Sequence, residues 1–205
     1  MLVWEMVFSE TCNFDKFCYV GGGAPLNKES WPCNKRGEAL IHLATISSFA
    51  LKRFCGISID EQVVVSIFSS YLKSDYFLDE ITYSGSEQEL EEIRSGSTKV
   101  VVCGRIEEEN NFSEFYIPKR YFNCVEQIIE NDCIPMFSFL AESCPNFTQN
   151  EIMKFDGMRF ISQFYSGDFP KPFRGVLGMV DAVGYAFLDI SGSNSNGGLF
   201  FVQTG

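Results

Sequence analysis

Few residues in this 205-residue chain could carry nucleophilic or proton-transfer chemistry: eight cysteines and one histidine, His42. A thiolate beside an imidazole is the familiar nucleophile–base pair of covalent catalysis. Cys33, nine residues before His42, is the best candidate nucleophile. Placed at or just before one helix, the two would stand roughly 13 Å apart. Proton sharing needs ~3 Å. His42 therefore reads as a helix residue with a satisfied core or surface role. The cysteines, at 12, 18, 33, 55, 103, 124, 133 and 144, contain no Cys-x-x-Cys pair. With a single histidine, a Cys/His zinc site is not expected. An even cysteine count permits disulfides in an oxidising compartment, whereas Cys103, inside KVVVCG (99–104), reads as a buried thiol. Gly21-Gly22-Gly23-Ala24-Pro25 is a loop, and no Lys-Ser/Thr follows at phosphate-loop spacing. No cofactor is expected.

Charge and composition narrow the function classes. The formal charge of −11 leaves no basic stripe for phosphate, so no nucleic-acid partner is expected. The acidic runs Glu87–Glu92 and Glu107–Glu109 read as a solvated helix face and a solvated turn. No apolar run reaches about 18 residues, so no membrane span is expected. MLVWEMVFSETC is a poor signal peptide, its apolar stretch broken by Glu5 and preceded by no basic region. Asn111-Phe112-Ser113 and Asn146-Phe147-Thr148 match the glycosylation sequon. The 21 phenylalanines are spread along the chain, as core packing requires.

The elements that must position these residues change along the chain. Leu40, Leu43, Ala44, Ser47 and Leu51 recur at three- and four-residue spacing, which predicts a helix over 37–54 ended by Gly56. Asp60 is a good N-cap for a second helix from Glu61, with Val63, Val64, Ile67, Phe68 and Tyr71 inward. Ser86 and Glu89 form a capping box for a third helix over 86–94. Beyond Lys99, residues 99–106, 133–141, 158–165, 176–190 and 198–203 read as strands, with an amphipathic helix at 120–132. Helices first and strands later predict an α+β fold.

Several segments, in order, resemble the papain-like cysteine peptidases. GISIDEQ (56–62) is similar to the family's Leu-Ile-Ser-Leu-Ser-Glu-Gln, and VEQIIENDCIPMFSFLAE (125–142) to the helix, turn and strand that open its right half. FISQFYSGDF (160–169), GMVDAVGY (178–185) and GGLFFVQTG (197–205) are similar to the segments around its histidine strand and Asn-Ser-Trp-Gly strand. The resemblance covers roughly residues 30–205. It implies one papain-like domain over 1–205, with a helical half over about 30–98, a β-barrel-like half over about 99–205 and a cleft between them. It also implies that the triad positions fall on Arg36 or Gly37, on Gly178 and on Thr204, with Ser30 at the oxyanion-hole glutamine. Arginine does not release its proton and glycine has no side chain, so the peptidase chemistry is expected to be lost. Asp181 alternates to the face opposite Gly178, out of reach as a substitute base.

The expectation is a peptidase homologue that has lost proteolysis and binds a peptide or protein in the cleft. An active divergent cysteine peptidase using Cys33, and an unrelated α+β binding protein, stay open beside it. The resemblance implies a secreted, vacuolar or lysosome-like compartment.

Overall fold

The structure, a computed structural model, describes residues 2–12, 14–73, 76–128, 137–140, 155, 157–191 and 197–204. Its frame is a closed antiparallel barrel of ten strands: β1 (Leu2–Ser9), β2 (Tyr19–Val20), β3 (Ile41–Ser47), β4 (Val63–Ser69), β5 (Thr98–Gly104), β6 (Arg120–Ile128), β7 (Ser138–Leu140), β8 (Met158–Tyr165), β9 (Val183–Asp189) and β10 (Gly198–Gln203). Around the barrel the order is β1-β6-β2-β3-β4-β5-β10-β9-β8-β7, and β7 closes it by pairing with both β1 and β8. Among the described residues, three short α-helices accompany it: α1 (Ser48–Cys55), α2 (Leu78–Ile81) and α3 (Glu87–Glu92).

Period-two alternation sorts side chains to the two faces of each strand. On β10, Phe200 and Val202 join the main core, while Leu199 and Phe201 face a second cluster with Tyr83, Leu90 and Ile93. On β9, Ala186 and Leu188 join the first set, and Tyr185 and Phe187 the second. The main core is rich in phenylalanine, with Phe54, Phe122, Phe139, Phe164 and Phe200 all buried. The interior is therefore packed with side chains rather than open as a channel. A third cluster, Leu26, Trp31, Leu40 and Phe68, covers the outer side of β3 and β4.

This architecture overturns the expected papain-like α+β fold. Strands from both expected halves interleave in one barrel: β6 pairs with β1 and β2, and β5 pairs with β4 and β10. The predicted helix over 37–54 is strand β3 followed by α1, which starts only at Ser48. All seven residues of β3 are buried, and an apolar run covered on both faces shows no alternation to read. The predicted second helix is β4, whose Val63, Val64, Val65 and Ile67 are β-branched. Asp60 does cap, but it caps a turn: its carboxylate accepts from the Gln62 N–H at 2.8 Å. The predicted helix over 120–132 is β6 as far as Ile128. Of the strand predicted over 176–190, only Val183–Asp189 forms. The third helix, β5, β8 and β10 lie where predicted. Residues 129–136 and 141–154, with Cys133, Cys144 and the sequon at Asn146, lie outside the described residues. Among the described residues, no helix is long and apolar enough to cross a membrane.

Candidate functional site

The residues singled out for peptidase chemistry do not meet in a catalytic cluster. Cys33 opens a hairpin, bridging Ala39, with its thiol directed at the Trp31 carbonyl at 3.8 Å. Arg36 and Gly37 lie at the tip of that hairpin, not at a helix N-terminus. The Arg36 guanidinium pairs with Glu80 of α2 at 2.5 Å. Ser30 is exposed in a turn, its N–H donating to the Asn27 side chain at 2.8 Å. Gly178 lies in the loop before β9 with φ +94, and a Cβ there would stand 2.7 Å from Leu78. Thr204 and Asp181 are exposed.

His42 is buried in a closed polar chain. A carbonyl can only accept, so Nδ1, 3.0 Å from the Gly21 oxygen, carries the proton. Nε2 then accepts from the Thr45 hydroxyl at 2.9 Å, and Thr45 accepts from Ser66 at 3.1 Å. Burial pushes the imidazole pKa down to about 4. Both ring nitrogens are committed, so the chain's one histidine is a structural residue. It ties β3 to the glycine loop. Gly21 itself, with φ +62, admits no side chain, because a Cβ would stand 2.6 Å from the Ile117 oxygen.

Two of the cysteines are buried, whereas Cys12 and Cys33 are exposed. Burial pushes Cys18 and Cys55 up to about 12, and they stay thiols. All six described cysteines are free, Cys103 being only half-buried. Among the described residues no cluster could hold a metal ion. The Asn111 side-chain nitrogen, the one a glycan would take, donates to the carbonyls of Ser113 and Phe115 at 3.0 and 3.4 Å.

A spacious recess lies on the outside, beside α1. Ser47 caps that helix by accepting from the Ala50 N–H at 3.1 Å, and Gly56 ends it with φ 64. Ala50, Leu51, Phe54 and Cys55 turn inward, which leaves Phe49, Lys52 and Arg53 on the opposite face at helical spacing. The recess, about 680 Å³, is lined by Phe49 and Lys52, by Phe14, Asp15 and Lys16, by Ile59 and Glu61, and by Arg105 after β5. Phe49 is 50% exposed, with its ring 5.2 Å from that of Phe14.

Arg105 is held in place there. Its guanidinium lies 4.5 Å from the Phe17 ring centre and 3.3 Å from the Asp15 carboxylate, whose side chain is only 7% exposed. Asp15 is in turn fixed by the Phe17 N–H at 3.0 Å. A guanidinium braced by one acid and one ring keeps further N–H groups for another acceptor. Lys52 stands in the last turn of α1, where a cation also complements the helix dipole. No histidine or cysteine lines the recess. A second hollow of about 420 Å³, near Arg120, Lys171 and Arg174, is smaller, and its Phe169 is fully buried.

The sequence reading missed this site. Its signal was present: Phe49, Lys52 and Arg53 at i, i+3 and i+4, opposite an apolar stripe. Treating 37–54 as one buried helix hid it. The fold and the recess together define a closed β-barrel with a packed interior and an external aromatic–cationic hollow. Compared with known proteins, the chain matches no family model and no curated protein sequence.

Proposed function

We propose that this chain acts by binding a peptide or protein segment, not by catalysis, and that the recess beside α1 receives it. The observation that carries this reading is the half-exposed Phe49 ring beside a braced Arg105 in a hollow of about 680 Å³. Exposed aromatic anchors flanked by positioned cations are the features that dominate binding energy at protein surfaces. Phe14, Phe49 and Ile59 offer an apolar floor for one side chain of the ligand. Arg105 and Lys52 offer donors to its carbonyls or carboxylates. The arrangement of His42, fully engaged and buried, supports the non-catalytic half of the reading.

Selection from a random peptide display library, followed by titration of the enriched peptides, tests it. Phe49 is outside the core, so Phe49→Ala is expected to keep the fold and weaken enriched peptides by at least about tenfold. Lys52→Glu is expected to weaken those with an acidic residue most. Peptides that bind Phe49→Ala as well as the native chain, or a selection that enriches nothing, would overturn the proposal.

A further inference from the structure

The recess beside α1 does not end at Lys16. Lys16 also lines an adjoining hollow of about 230 Å³ with Phe17, Glu107, Glu109, Lys119 and Tyr121. Across the two, cations lie on aromatic rings in a row. Lys16 and Arg105 stand 5.4 and 4.5 Å from the Phe17 ring centre. Lys119 stands 4.0 Å from Tyr19 and 4.8 Å from Tyr121. The rings are anchored: Phe17 and Tyr19 are buried, and the Tyr19 hydroxyl donates to the Gly23 carbonyl at 2.9 Å. Lys16, Lys52, Arg105 and Lys119 line the two hollows together with the acids Asp15, Glu61, Glu107 and Glu109.

The row is already occupied by the chain's own acids. Glu107 pairs with Lys16 at 2.5 Å and Glu109 with Lys119 at 2.6 Å. The acidic turn expected to be simply solvated therefore lies along a cationic strip. The two pairs differ in how firmly they hold. The Glu107 side chain is 83% exposed, and so exposed a pair is readily exchanged. Glu109 and Lys119 are 24% and 22% exposed.

We propose that Lys16, Arg105 and Lys119 form an acceptor strip for an acidic, aromatic-bearing peptide segment of a partner protein, and that Glu107 and Glu109 are its internal competitors. This rests on the binding reading above and extends it. The partner's carboxylates take the places of the two glutamates, and its aromatic side chain takes the floor at Phe49. Charge complementarity selects an acidic segment, and the Glu107–Glu109 turn shows that such a segment fits the strip. The repulsion of the chain's overall negative charge is screened beyond about 8 Å at physiological salt.

A fluorescein-labelled decapeptide alternating glutamate and phenylalanine serves as the probe, titrated by fluorescence polarisation. Glu107→Gln/Glu109→Gln is expected to bind it about three- to tenfold more tightly than the native chain. Glu29→Gln/Glu91→Gln, exposed acids outside the strip, removes the same charge and is expected to leave affinity unchanged. Lys16→Ala/Lys119→Ala is expected to weaken binding. Equal tightening in both glutamine pairs means general charge alone, and overturns the inference; so does no tightening in either. Dimerisation of Glu107→Gln/Glu109→Gln in light scattering makes a second copy the occupant and also overturns it. The two readings fail separately. Phe49-dependent peptides that ignore Glu107 and Glu109 sink only this inference, whereas absence of any Phe49-dependent peptide sinks both.

Discussion

His42 shows at the scale of one residue how burial decides chemistry. Burial is the largest influence on it and lowers its pKa to about 4 from an ordinary 6.5, with Lys119 adding a small push in the same direction. The folded state therefore refuses a proton that the unfolded chain accepts below pH 6.5. Between pH 6.5 and about 4 the unfolded state binds more protons, so stability rises with pH across that window and is flat above it. The full difference is roughly 3 kcal/mol. Urea midpoints measured at about pH 7.5 and about pH 4.5 are expected to fall on acidification in the native chain. A His42→Gln variant loses this contribution, and the remaining slope is that of the carboxylates. Equal slopes in the two proteins would show that His42 is accessible to protons in the folded state. Spacing alone already set the Cys33–His42 pair aside in the sequence, without showing what holds the imidazole. A histidine nine residues from a cysteine shows spacing, but not that both its nitrogens face Gly21 and Thr45.

At the scale of elements, α3 is the helix whose start was legible, because its signals are local. Ser86 accepts from the Gln88 N–H at 3.2 Å, and Glu89 reaches back to the Ser86 N–H at 3.2 Å. Glu89 also takes the Ser84 N–H and hydroxyl at 2.8 and 2.7 Å. Ser86→Ala is expected to cost about 1 kcal/mol. Glu89→Ala is expected to cost more, since three donors lose their acceptor; chemical denaturation of the two variants checks the order. If the costs come out equal or reversed, the Ser84 contacts do not contribute. β8 and β10 were legible because turn residues bound them and aromatic and β-branched residues fill them, although β10 is buried on both faces. β3 was illegible because its apolar residues also recur at helical spacing. β3 is buried on both faces because the glycine loop and Trp31 cover its outside, and nothing within residues 41–47 announces that cover. β6 was read as an amphipathic helix, although Tyr121, Phe122 and Val125 are strand formers. The site followed the same rule. Phe49 and Lys52 were visible in α1, but Arg105 reaches them only through the pairing of β5 with β4.

At the scale of the whole molecule, one barrel takes strands from both of the halves that the sequence suggested, and it is expected to unfold as one cooperative unit. The core contact that shows this best is Phe139 of β7. It stacks on Phe54 of α1 at 5.5 Å and meets Phe122 of β6 at 5.7 Å, and Phe54 in turn meets Trp4 of β1 at 4.9 Å. Four elements, distant in sequence, share one aromatic cluster. Phe139→Ala is expected to cost about 3–5 kcal/mol, the range for emptying a fully buried phenylalanine site. The loss must also spread. Trp4 reports on that cluster, while Trp31 lies in the separate cluster outside β3 and β4, against Phe68. Single-tryptophan variants, Trp31→Phe to isolate Trp4 and Trp4→Phe to isolate Trp31, give two optical probes of unfolding. Adding Phe139→Ala to each is expected to lower both denaturation midpoints together, because a closed barrel cannot release β7 and keep β3 and β4 paired as before. A shift seen by Trp4 alone would mean that the outer layer unfolds independently, and that residues 21–40 are a separable cover on the barrel.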